Sequence, residues 1–68
     1  MIVTTILFPE KNEKKIELQE NSTALDILKN LDLNPDAMLL IRNEVPIPVD
    51  EKLEDKDVLK IVRVVSGG

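Results

Sequence analysis

The sequence predicts an α+β domain in which one helix covers one face of a mixed sheet of four or five strands. Three observations predict it. Apolar, β-branched runs recur at Met1–Phe8, Met38–Arg42 and Val58–Val65, with turn-like or charged segments between them. Only Thr23 to Leu31 carries apolar residues at helical spacing. At 68 residues the chain makes one domain with a small core. A lone helix stripe and a lone sheet face then bury only against each other.

The elements follow in order. Met1 to Phe8 places Ile2, Thr4, Ile6 and Phe8 on one face and Val3, Thr5 and Leu7 on the other. Both faces are largely apolar, as in a central strand. Pro9 to Lys14 breaks the run with charge, and Lys15-Ile-Glu-Leu-Gln alternates as a half-buried strand does. The pair reads as an antiparallel hairpin with a loop of about five residues. Thr23-Ala-Leu-Asp26 has the capping-box form. Ala24, Ile27, Leu28 and Leu31 make the buried stripe, and Leu25 falls off it. Asn34-Pro35 lies beyond the end, since the residue before proline disfavours the helical region.

Met38 to Arg42 is the next strand and Asn43-Glu44 a turn. Val45-Pro-Ile-Pro-Val49 is extended but twice lacks an amide donor, which fits only a sheet edge or a loop. Asp50 to Asp57 is an acidic loop anchored by Leu53, and Val58 to Val65 is the last strand. The expected core is Ile2, Ile6, Phe8, Ile16, Leu18, Ile27, Leu28 and Leu31. The expected domain is residues 1–65, and residues 66–68 are expected to form a flexible tail.

Composition narrows the function classes. The chain has no cysteine and no histidine, so it lacks a thiol nucleophile, the commonest general base and the commonest metal ligand. Thirteen acidic against nine basic residues give a net charge of −4, and Phe8 is the single aromatic residue. Neither the field nor the stacking surface of a nucleic-acid binder is present. No apolar run approaches the roughly 18 residues of a membrane span, and Met1-Ile-Val-Thr-Thr has no basic leader region. These features lead us to expect a cytoplasmic, monomeric protein that works with partners, binds no cofactor and is not itself an enzyme. Asp55 and Asp57 suggest no metal site, because no oxygen-rich ligand loop surrounds them. The wider acidic run from Asp50 to Asp57 reads first as a solvated loop.

Glycine usage is the one anomaly. At a usage of about 7%, roughly five glycines are expected in this length. There are two, Gly67 and Gly68, side by side after Val64-Val65-Ser66. Turn and cap positions that usually take glycine hold Asp32, Glu44 and Lys56 instead. A frayed end is the bland account. The functional account is that a Gly-Gly tail, having no Cβ, enters a slot too narrow for any side chain. Such a slot reaches the α-carboxylate of Gly68, a poor electrophile until joined to AMP as a mixed anhydride. The chain has no P-loop and no cysteine, so a partner must supply the nucleotide site and the sulfur.

The order of elements, Asn43-Glu44, the loop Leu53-Glu-Asp-Lys-Asp57 and the ending Val-Ser-Gly-Gly resemble the ThiS/MoaD group of ubiquitin-like sulfur carriers, and most of all its short archaeal members. The resemblance implies a β-grasp fold. It also implies adenylation of Gly68 by an E1-like enzyme that uses ATP, and conversion to a thiocarboxylate. The sulfur would pass to an acceptor enzyme for tRNA thiolation, molybdopterin or thiazole synthesis, with tRNA thiolation or a dual carrier and modifier role slightly preferred. Ser66 and Gly67 would thread the partner's slot, with Arg63, Val65 and Arg42 as candidate docking residues. Two other readings remain open: a modifier joined to target-protein lysines through Gly68, and a passive interaction module.

Overall fold

In a computed structural model that describes residues 1–64, five strands and one α-helix form two layers. Strand β1 (Ile2–Phe8) turns back through Pro9–Lys11 into β2 (Asn12–Glu17). Helix α1 (Ala24–Asn30) follows, then a 3-10 turn at Pro35–Ala37, β3 (Met38–Arg42), β4 (Val45–Ile47) and β5 (Val58–Arg63). The sheet order is β2-β1-β5-β3-β4, so the last strand in sequence lies in the middle. β5 runs parallel to β1 and antiparallel to β3, which makes the sheet mixed.

The helix forms where its capping signal lies. The carboxylate of Asp26 accepts the Thr23 backbone N–H at 2.8 Å. The next amides donate to the returning loop, Ala24 N–H to the Glu51 carbonyl and Leu25 N–H to that of Val49. Donors that a helix start leaves orphaned are thereby satisfied. Beyond the C-cap residue Leu31, Asp32 takes a left-handed φ of 57° and the helix stops. Ala24, Ile27 and Leu28 pack against Val3, Ile16, Leu40, Leu53, Leu59 and Ile61 to make the core. Leu18 and Leu31 are half-buried beside it.

Two expectations are corrected. β1 faces the helix with Val3, Thr5 and Leu7, whereas Ile2 is 39% exposed and Ile6 and Phe8 are half-buried on the opposite face. Alternation assigned the two faces correctly, but both were apolar and nothing local said which one meets the helix. Their partners on β5 settle it: Thr5 pairs with Leu59 and Leu7 with Ile61, both of those β5 residues fully buried. The hairpin loop is also shorter than expected, because β2 begins at Asn12. Its first residues pair with β1 through the backbone, Leu7 opposite Asn12 and Ile6 opposite Glu13, without contributing apolar side chains.

The turn at Asn43-Glu44 has φ of 54° and 66°, the left-handed pair that a two-residue hairpin requires. In such a hairpin the closing pair, here Arg42 and Val45, exchanges both backbone hydrogen bonds. Pro46 therefore sits where a strand residue turns its N–H away from the sheet, and β4 is the edge strand.

Candidate functional site

β5 carries the chain toward the glycine pair. It starts at the acidic loop and ends at Arg63, with Val64 the last described residue. Val65, Ser66, Gly67 and Gly68, which include the expected reactive glycine and the threading residues, lie outside the described residues.

The sheet face opposite the helix is open. Across it run three rows set by strand register: Lys15 with Thr4 and Val58, then Glu13 with Ile6, Lys60, Ile41 and Pro46, then Phe8 with Val62 and Leu39. The third row lies nearest the chain exit. Leu39 and Val58 are exposed and Ile6, Phe8, Ile41 and Val62 half-buried, so an apolar surface surrounds one central cation. That cation, Lys60 Nζ, lies 3.2 Å from Glu44 Oε1. Leu39 at 41% and Val58 at 48% exposure are the most open apolar residues of these rows. The contribution of β1 to this face was hidden from the sequence, which placed Ile2, Ile6 and Phe8 in the core.

The two candidate arginines are placed at opposite ends of the sheet. Arg42, 19% exposed, reaches into the 51–57 loop. It donates to Glu51 Oε2 at 2.7 Å, to Asp57 Oδ2 at 3.2 Å and to the Lys52 carbonyl at 3.0 Å. Its guanidinium thus fixes the loop. Arg63 stands at the exit, where Nε and Nη2 both donate to Glu10 Oε2, at 3.3 and 3.2 Å. The hydrogen bond from Arg63 holds the Glu10 carboxyl below the usual carboxylate range. Neither partner was foreseen from the sequence.

A recess between the hairpin and the helix end, lined by Thr5, Leu7, Leu31 and Leu33, holds about 60 Å³, and a wide, shallow depression beside residues 17–22 and Asp26 holds about 450 Å³; the first is too small for a small-molecule ligand and the second too open to enclose one. Among the described residues no group of three carboxylates is placed to hold a metal ion. The features that can meet a partner are the open face and the chain leaving beside it.

A family profile for small archaeal modifier protein 2 matches residues 1–65. The chain belongs to that family. Sulfur carrier protein TtuB of Thermus thermophilus is 28% identical over 88% of this chain and 89% of its own. Among solved structures, SAMP1 from Haloferax volcanii superposes with a TM-score of 0.78 at 19% identity, covering all of both chains. A Pyrococcus furiosus protein assigned as molybdopterin converting factor subunit 1 gives 0.77 at 20% identity, over 94% of this chain and 98% of that one. The ubiquitin of Caldiarchaeum subterraneum gives 0.74 at 17%, over 100% and 98%. The chain, a member of the small archaeal modifier protein 2 family, therefore has the ubiquitin-like β-grasp fold and is a ThiS/MoaD-like, ubiquitin-like small modifier.

Proposed function

We propose that this chain is a sulfur carrier whose Gly68 α-carboxylate is activated on an E1-like enzyme. The observation that carries the reading is that the family match over residues 1–65 runs straight into Ser66-Gly67-Gly68. The carboxylate attacks the α-phosphate of ATP, forming the acyl-adenylate and releasing pyrophosphate. A hydrosulfide equivalent from a sulfur donor then adds to the acyl carbon and expels AMP, leaving a thiocarboxylate for an acceptor enzyme. The protein is the co-substrate throughout, acting in the cytoplasm with ATP held by its partner.

Geometry suits that division of labour. Four residues separate Val64 from the Gly68 carboxylate, a reach of at most about 14 Å. A partner seated on the open face beside Phe8, Val62 and Leu39 would therefore have the carboxylate within that reach of Val64. The name of the family favours a second reading, in which the same acyl-adenylate passes to a lysine of a target protein.

Incubation with the activating enzyme, ATP and a sulfur donor, followed by intact-mass measurement, tests both. Exchange of one terminal oxygen for sulfur supports the carrier. A branched lysine–glycine peptide after digestion supports the modifier. Deleting Gly68 should abolish either product, because the carboxylate then falls about 3.5 Å short. No product from the wild-type protein would leave only a passive interaction module, and products unchanged by the deletion would show that Gly68 is not the reacting residue.

A further inference from the structure

The exit of the chain is supported unequally on its two sides. Toward β3, backbone pairing continues past the strand: Met38 lies opposite Arg63, and Val64 N–H donates to the Ala37 carbonyl at 2.8 Å. Toward β1, the last paired residues are Phe8 and Val62. Beyond that rung β1 turns away through Pro9–Lys11. A strand end paired on one side can swing about that side. On the unpaired side the contact present is the one from Glu10, whose Oε2 receives both Arg63 donors. It stands where the next rung would be. Because Leu59 and Ile61 point to the helix layer, alternation puts Arg63 on that side too, away from the row of Phe8, Val62 and Leu39. The contact steadies the strand end without covering the open face.

We propose that Glu10 is a positioning residue for activation of the carrier: through Arg63 it sets the direction in which the chain leaves Val64. This rests on the proposed carrier function. A carboxylate delivered along one direction samples fewer unproductive approaches to the partner's slot, which strengthens productive association and leaves the chemical step alone. The signature is a change in KM with kcat unchanged.

The test uses the full chain and its activating enzyme, with ATP–pyrophosphate exchange for the kinetics. Residual dipolar coupling of the Val64 N–H in the free protein is the second readout. Glu10→Ala should raise the KM for the carrier about two- to fivefold, the range open to an exposed ion pair, with kcat unchanged. It should also shift the Val64 coupling. Glu10→Gln keeps an acceptor oxygen of the same reach and should recover part of both effects. The exchanged pair, Glu10→Arg with Arg63→Glu, is read by the coupling alone and should restore it. A KM that stays or falls in Glu10→Ala, or an unchanged Val64 coupling, overturns the proposal. If wild-type protein is not activated at all, the carrier reading fails by itself, and the coupling alone still decides whether Glu10 directs the exit.

Discussion

Where β5 begins, a set of side-chain and backbone hydrogen bonds centred on the half-buried Arg42 and Asp57 holds it; where it ends, one backbone hydrogen bond and an ion pair open to solvent are added to its ladder with β3. At the start, Asp57 accepts from Arg42 and from the Glu54 amide, and its carbonyl accepts from Thr4. Lys56 donates to the Ile2 carbonyl, and Asp55 accepts the Ile2 amide. The side chains of Arg42 and Asp57 are 19% and 16% exposed, whereas Arg63 and Glu10 are 46% and 45%. One strand thus has a firmly held end and a lightly held one, and the proposed activation would act beyond the lightly held one. The difference teaches that the fold concentrates its polar contacts at the end of the strand away from the proposed reaction.

Three measurements sharpen or break that contrast. The largest effect belongs to Arg42→Ala, which strands two carboxylates that are partly out of water. It should lower unfolding stability in urea by about 1–3 kcal/mol. A loss under about 0.5 kcal/mol would place Arg42 with ordinary surface residues and dissolve the contrast. Next comes Lys56→Gly at the same end. Lys56 has φ of 70°, a conformation costing about 1–2 kcal/mol in a side-chain-bearing residue, offset by about 0.4–1 kcal/mol of unfolded-state freedom when glycine replaces it. Stability should rise by about 0.5–1 kcal/mol; a fall would show that the Lys56 side chain holds the loop.

The smallest effect is at the exit. The Glu10 carboxyl is depressed in the folded state by the hydrogen bond from Arg63. The pair's contribution is therefore complete above the ordinary glutamate range and disappears as pH falls through the depressed value. Carbon-detected NMR titration should show the Glu10 midpoint moving up in Arg63→Gln, with the thermal midpoint unmoved. An identical Glu10 titration in the variant would mean that the pair does not persist in solution.

What the sequence disclosed was what is local. Thr23 and Asp26 are three positions apart, and their cap was readable. Asp32, Glu44 and Lys56 were recognised as occupying glycine-like positions, and all three have left-handed φ. The helix stripe and the edge strand with its two prolines also followed from short-range rules. The face of β1 did not, because Ile2, Ile6 and Phe8 compete with Val3, Thr5 and Leu7, and the choice is made by β5, some fifty positions away. The same distance hid the Glu10–Arg63 contact, which spans 53 positions. Arg42 was noticed as an arginine, but its grip on Glu51 and Asp57 depends on how the loop returns to the sheet.

The prolines of the edge strand bear on how copies of this protein meet one another. Along the outward side of β4, Pro46 has no N–H to offer, and Pro48 follows just past the strand end. A neighbouring chain approaching that edge finds carbonyl acceptors but not the alternating donors from which a sheet grows. At the opposite edge, β2 presents Glu13, Lys14, Lys15 and Glu17, all exposed, whose charges would have to be matched or stripped of water. Both edges thus disfavour the edge-to-edge pairing from which cross-β polymers grow, and the sheet ends at five strands.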